Sequence, residues 1–252
     1  MKAWLRFFRV VNLPTVPGDV LVGAAAVVVG EGAASGEAES FPLRVAATCV
    51  ASVFLYMFGL ADNDIVGVKA DKGRPIVDGQ ISLGAARWAR GLCVFAALIV
   101  GSLANLPPIW WVAAFLLVVA IVVYNRGKWS LVMGLCRGLN VICGGLCIGL
   151  DYSNRALRNC CEGRIALLCL LAIWTVYVAF VTWYSTGEEA DPAKKRRVGL
   201  LIGGIVYLQL VALVTAYLIL PCAPTRHLVL AGAGLLIVLR LMKRFLPEVS
   251  AS

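Results

Sequence analysis

The chain has 252 residues, 61% of them hydrophobic and only 15% charged, with a mean hydropathy of +0.87. That composition leaves too little polar surface to cover a water-soluble domain of this length, so a soluble globular protein is excluded. A net charge of +9 would suggest a nucleic-acid partner in a soluble protein. Here no basic, aromatic-interleaved surface domain exists to host one, and basic loops are what the positive-inside rule requires of a polytopic membrane protein.

Residues 2–11 are basic and aromatic and run at once into Pro14 and Pro17. A cleavable signal peptide has a continuous apolar run ending in small residues, so this start is expected to be an interfacial segment leading into the first span. The apolar spans run about 15–30, 42–61, 82–104, 107–124, 131–150, 164–186, 197–220 and 226–245, each near the roughly 20 residues that cross a bilayer. The expected fold is all-α, a polytopic membrane bundle of about eight transmembrane helices in a single domain over residues 1–252. A small, acidic, polar stretch over 31–41 joins the first two spans, and Asn105-Leu106-Pro107-Pro108 is a tight breaker between the third and fourth. With the N-terminus placed in the cytoplasm, most of the 23 basic residues fall on the inner side, among them Lys72, Arg74, Lys128 and Lys194 to Arg197. An even helix count puts both termini there. The expected location is a bacterial inner membrane. The nine cysteines lie mostly in apolar runs, where thiols pack as small hydrophobes. With His227 the only histidine and no CxxC pair, the sequence argues against a zinc site.

Charges near membrane depth are costly and mark function. The second span ends on Asp62-Asn63-Asp64, with Gly67 and Asp71 following. On a continuing helix Asp64 and Asp71 are seven residues apart and share a face, with Asn63 and Gly67 on the adjoining stripe. Paired carboxylates with room for water suit Mg²⁺, the more so when a substrate phosphate completes its shell. The same residues also read as a solvated helix end with ordinary loop charges, and spacing does not separate the two. The sixth span ends on Trp183-Tyr184, followed by Glu188, Glu189 and Asp191, acids that can equally balance Lys194 to Arg197. Arg9 and Asn12 precede the first span, and Lys128 follows the fourth. Arg137 and Asn140 lie a turn or more inside the fifth, where such residues face a cavity or a protein partner rather than lipid. Basic groups beside Mg²⁺ are what a diphosphate leaving group needs, although each taken singly also serves as a positive-inside anchor.

At these residues the sequence resembles the UbiA superfamily of intramembrane prenyltransferases. Asn63-Asp64-x-x-Gly67-x-x-x-Asp71 is similar to the family's first motif, Asn-Asp-x-x-Asp-x-x-x-Asp, at the end of the second helix. Arg74-Pro75-Ile76-x-x-Gly79-x-Ile81-Ser82 looks like its Arg-Pro-Ile-x-x-Gly-x-Ile-Ser run, and Arg9-x-x-Asn12 is similar to its opening Arg-x-x-Asn. Lys128 sits where the family often has a lysine after a tyrosine, here Tyr124. Two positions depart from the pattern. Gly67 replaces the middle Asp, and a second motif, Asp-x-x-Tyr-x-x-x-Asp, anchored on Tyr184 has Val181 first and Glu188 last. The stretch Met133–Asn140 resembles a UbiA-like branch, EboC.

The resemblance implies a helical bundle around a cavity open to the bilayer. There Mg²⁺ on the acidic motifs binds a prenyl diphosphate, which ionises to an allylic cation captured by an aromatic or other lipophilic acceptor. Asp64, Asp71 and Glu188 are the implied catalytic and metal-side residues. Arg9, Lys128 and Arg137 would hold the diphosphate, with Asn12, Asn63, Asn140 and Tyr184 as further substrate-binding residues. The missing carboxylates at positions 67 and 181 keep open a protein of this fold that binds a prenyl or related lipid without transferring it. A transporter or channel would show broken helices and polar groups at mid-membrane, whereas these polar groups collect at one end.

Overall fold

Apolar stretches punctuated by proline and small polar residues become helices in the computed structural model, which describes residues 2–31, 40–69, 74–148, 157–186 and 192–245. The helices are α1 (Lys2–Phe7), α2 (Thr15–Glu31), α3 (Phe41–Val66), α4 (Leu83–Leu103), α5 (Pro108–Gly127), α6 (Ser130–Leu146), α7 (Leu157–Ser185), α8 (Pro192–Ile219) and α9 (Ala223–Phe245). No strand occurs among the described residues. The eight expected spans correspond in order to α2 through α9. Six of the helices are long and apolar enough to cross a membrane by length and composition, α6 is a shorter apolar helix of 17 residues, and α9 carries basic residues towards both ends. The protein is a polytopic membrane bundle.

Helix starts follow local chemistry. Pro108 opens α5, where the missing proline N–H has no intrahelical partner to lose. The Ser82 hydroxyl caps α4 by accepting the Ala85 N–H at 3.2 Å. Between α4 and α5, Asn105 takes a left-handed φ of 49°, a conformation asparagine tolerates better than most residues, and Pro107 prevents α4 from continuing.

The central post is α2. Within its apolar window 72% of residues are buried, against 17% for α4 and 22% for α7, which present most of their surface to lipid. It packs against α3, α6, α7, α8 and α9. Glycines set how close α6 comes: a Cβ on Gly23 would lie 1.9 Å from the Val141 carbonyl oxygen, and one on Gly144 would lie 2.1 Å from that of Val20. Small residues at such seams let backbones meet where lipid supplies no hydrophobic drive. Val28, Ala24, Leu55, Leu117, Trp174 and Leu213 fill the core around the post.

The N-terminal segment is a separate short helix rather than an extension of α2. Arg9 breaks the chain with a left-handed φ of 42°, and a 3-10 turn over Val10–Asn12 leads into α2. Phe7 is buried against Ala61, Ile76, Ile81 and Ala86, so α1 lies across the end of α3 and the turn that follows it. In that turn the N–H groups of Gln80 and Ile81 both reach the Pro75 carbonyl, and Gly79 supplies a φ of 70°.

One expectation is corrected here. The α3 helix does not continue towards Asp71: it ends at Val66, the Gly67 N–H closes the last turn onto the Asn63 carbonyl, and a 3-10 turn takes over at Gly67–Lys69. Glycine gives up more conformational freedom in a helix than other residues do, so an α-to-3-10 change at Gly67 is favoured. The continuous helix that the seven-residue spacing of Asp64 and Asp71 assumes therefore stops at Val66. Asp71 and Glu188 themselves lie outside the described residues, as do Glu189 and Asp191.

Candidate functional site

Helices α3, α5 and α6 line a cavity of about 120 Å³, with Val16 of α2 and Arg9 also on its wall. The α3 lining follows one helical stripe, Ser52, Tyr56, Gly59, Leu60 and Asn63. Leu117, Ile121, Tyr124 and Asn125 come from α5, and Met133, Cys136, Arg137 and Asn140 from α6. Asn63 lies eleven residues beyond Ser52 on α3, roughly 16 Å of helical rise. The cavity is thus polar at an outer end near Asn63, apolar along its middle and polar again at an inner end near Ser52.

Charged side chains gather at the outer end. The buried Asp64 carboxylate accepts a hydrogen bond from Arg74, and its Oδ1 lies 4.0 Å from Arg9 Nη2. Next to it, Asn63 Oδ1 accepts from Lys128 Nζ. Lys128 sits just past α5 with a left-handed φ of 54°, its N–H closing the helix onto the Tyr124 carbonyl and its ammonium 5.5 Å from the centre of the Tyr124 ring. Asp62 points elsewhere. Its carboxylate is buried and accepts from Arg90 Nη1 at 2.9 Å and from Asn125 Nδ2 at 2.9 Å, tying α3 to α4 and α5. Two residues apart on one helix, Asp62 is a strut and Asp64 faces the basic cluster.

The inner end rests on a residue the sequence reading did not single out. Asp19 of α2 is fully buried. Arg137 Nε lies 2.8 Å from its Oδ2 as an ion pair, and Arg137 Nη2 donates to its Oδ1 at 3.1 Å and to the Thr15 carbonyl at 2.8 Å. Trp174 Nε1 of α7 and Gln209 Nε2 of α8 also donate to Asp19 Oδ1, at 2.9 and 2.6 Å. Asn140 Nδ2 donates to Asp19 Oδ2 at 3.3 Å and to the Val16 carbonyl at 3.0 Å, and Ser52 Oγ donates to Asn140 Oδ1. Gly18 leaves the space through which Gln209 reaches in: a Cβ there would lie 2.1 Å from Gln209 Oε1. One carboxylate thus joins α2, α6, α7 and α8 and fixes Arg137 and Asn140, two of the four α6 residues that line the cavity.

Of the residues expected at the site, Arg9, Asn63, Arg137 and Asn140 line this one cavity, with Asp64 and Lys128 in contact with its outer end. Asn12 and Tyr184 are not among its lining residues. The Asn12 carbonyl accepts the Thr15 hydroxyl, and Tyr184 stacks on Phe180 with Lys194 Nζ 5.4 Å from its ring centre. Val181 is buried in α7. Asp19, Trp174, Gln209, Tyr56 and Asn125 belong to the cavity or its supports without having been expected there. Lone polar residues in apolar spans were the available signal for Asp19 and Gln209.

Among the described residues no three acidic, histidine or cysteine side chains converge to hold a metal ion. Mg²⁺ commonly takes one or two carboxylates, with substrate phosphates and water completing the shell. The Asp64 carboxylate and the neighbouring Asn63 amide oxygen fit part of such a donor set.

Neither a family model nor a curated protein matches this sequence. Solved structures match its fold. Over 100% of this chain and 91% of the other, the TM-score is 0.55 at 13% identity to a structure described as giving insights into digeranylgeranylglyceryl phosphate synthase in membranes. A UbiA homologue from Archaeoglobus fulgidus matches with a TM-score of 0.52 at 15% identity, over 99% of this chain and 90% of that one. The Archaeoglobus fulgidus UbiA homologue bound to DMAPP and Mg²⁺ matches at 0.52 and 14%, over 96% and 87%. From one end to the other, the chain has the fold of the UbiA intramembrane prenyltransferases.

Proposed function

We propose that the protein is a Mg²⁺-dependent intramembrane prenyltransferase that moves a prenyl group from a prenyl diphosphate to an aromatic or other lipophilic acceptor. The observation that carries this reading is the gathering of Arg9, Arg74, Lys128, Asn63 and Asp64 at one end of a cavity whose middle is apolar. Arg9 and Lys128 bind the diphosphate there and stabilise the charge that grows on it as the allylic C–O bond breaks. Asp64, with Asp71 and Glu188, would hold Mg²⁺, which when bound would supply Lewis-acid stabilisation of the leaving diphosphate. Leu60, Leu117, Ile121 and Met133 seat the hydrocarbon chain and exclude water, so that the allylic cation is captured by the acceptor and not by water. The Tyr56 and Tyr124 rings face that cation from α3 and α5. Residues 1–252 act as one transmembrane domain, with the outer end of the cavity and both termini cytoplasmic in a bacterial inner membrane, as the positive-inside rule favours.

The test is diphosphate release by the full chain in nanodiscs, with labelled prenyl diphosphates, a panel of acceptors, and either Mg²⁺ or EDTA. Release is expected only with Mg²⁺ and is expected to disappear in both Asp64→Asn and Glu188→Gln. Release that persists in EDTA, or that survives both substitutions, contradicts the proposal. A second reading, binding of a prenyl lipid without transfer, is favoured by the pairing of Asp64 with Arg74 and by Gly67 and Val181 at the two motif positions. It predicts saturable binding without release.

A further inference from the structure

The two polar ends of the cavity differ in charge. The outer end is basic. At the inner end the one cation, Arg137, is neutralised by Asp19, and both side chains are nearly or fully buried. Arg137 has five N–H donors: Nη2 serves Asp19 Oδ1 and the Thr15 carbonyl, Nη1 meets Thr15 Oγ1 at 3.4 Å, and Nε stands 2.8 Å from Asp19 Oδ2 as an ion-pair contact without hydrogen-bond geometry. One Nη1–H is left over. Asn140 uses both amide hydrogens on Val16 and Asp19, while its Oδ1, like Ser52 Oγ, keeps acceptor capacity. The inner end therefore offers one donor and two acceptors at no net charge.

Hydrocarbon placed against these groups would leave them buried and unpaired, at about 1–3 kcal/mol for each group so stranded. A carboxylate or phosphate would lose its hydration to a site whose cation is already neutralised, with Asp19 beside it. A hydroxyl or carbonyl satisfies the donor and the acceptors together.

We propose that Ser52, Arg137 and Asn140 form a seat for the uncharged polar head of the acceptor, a phenolic hydroxyl or a carbonyl, and that Asp19 sets this preference by cancelling the Arg137 charge. The proposal rests on the prenyl-transfer reading for calling the ligand an acceptor. With the diphosphate at the outer end, the head is held innermost and the reacting carbon belongs to the part of the acceptor that extends from this seat towards the allylic carbon.

The test is equilibrium binding of two matched probes, 4-hexylphenol and 4-hexylbenzoate, to the full chain in nanodiscs, with empty nanodiscs subtracted and geranyl diphosphate binding measured in the same preparations. The phenol is expected to bind about tenfold more tightly than the benzoate, the scale of one or two hydrogen bonds. Ser52→Ala and Asn140→Leu are each expected to weaken phenol binding by about tenfold while geranyl diphosphate affinity stays within about twofold. Asp19→Asn, which keeps the shape of the site and frees the Arg137 charge, is expected to reverse the order of the two probes. Tighter benzoate binding by the unmodified chain overturns the proposal. So does phenol affinity that survives both Ser52→Ala and Asn140→Leu, whatever the folding of the Asp19 variant. Phenol preference without geranyl diphosphate binding supports the neutral seat and sinks the transfer reading instead.

Discussion

Arg137 Nε stands 2.8 Å from Asp19 Oδ2, an ion pair formed across the α2–α6 seam where the carboxylate has no access to water. Its two members are not equivalent. Without Arg137, Asp19 keeps donors from Asn140, Trp174 and Gln209. Without Asp19, the guanidinium keeps only Thr15. Removing one partner of a buried pair costs about 3–5 kcal/mol. Asp19→Ala is therefore expected to fall in that range and Arg137→Met below it. Thermal unfolding in detergent measures the order, and a larger loss for Arg137→Met would contradict this reading of the network.

Asp62 and Asp64 are two residues apart and are assigned different work. Asp62→Asn is expected to weaken the tie to Arg90 and lower the unfolding temperature, while prenyl diphosphate turnover stays within about threefold, because its lost interactions are hydrogen bonds to Arg90 and Asn125. Asp64→Asn is expected to abolish turnover with a smaller effect on unfolding. Parallel turnover and unfolding measurements on the two variants check this, and equal losses of turnover would erase the distinction.

Lys128 joins a backbone requirement to a charge. Its left-handed φ of 54° ends α5, and glycine takes that conformation without strain. Lys128→Gly should therefore keep the turn and lose only the ammonium. A charge-assisted hydrogen bond is worth about 1.5–3 kcal/mol, so the Kd for geranyl diphosphate should rise by about 10- to 100-fold with unfolding unchanged. An unchanged Kd would remove Lys128 from the site.

Among the described glycines, Gly23 on the α2–α6 seam leaves the least room. At Gly23 an added Cβ would sit 1.9 Å from a carbonyl oxygen of the facing helix, which has no flexible side chain to move aside. Gly23→Ala is expected to cost about 1–3 kcal/mol or to prevent assembly. Gly84→Ala, where an added Cβ meets nothing, is the control and should be neutral. Folded yield and unfolding temperature report both.

Most of the architecture was legible in the chain. Apolar length located α2 through α9, and the Asn105–Pro108 breaker marked the end of α4. Arg9 and Asn63 could be gathered from their positions at or near helix ends, and Arg137 and Asn140 as polar residues a turn or more inside an apolar span. The Asp19 centre could not. Thr15-Val16-Pro17-Gly18-Asp19 reads as an ordinary polar helix start, and its partners Trp174 and Gln209 are single residues in long apolar runs more than 150 positions away. Only the packing of α6, α7 and α8 around α2 brings them together. The helix end after Asp64 misled for a related reason: spacing arithmetic assumes a continuing helix, and Gly67 hands α3 over to a 3-10 turn.

The most direct test of the account is an experimental structure of the full chain with Mg²⁺ and geranyl S-thiolodiphosphate, a non-ionising analogue of the proposed substrate. The account predicts the diphosphate at the outer end, within hydrogen-bond distance of Arg9 and Lys128, with Mg²⁺ against Asp64 and the geranyl chain along Leu60 and Ile121. A diphosphate bound away from Arg9 and Lys128, or a metal ion that leaves Asp64 paired with Arg74, would contradict it.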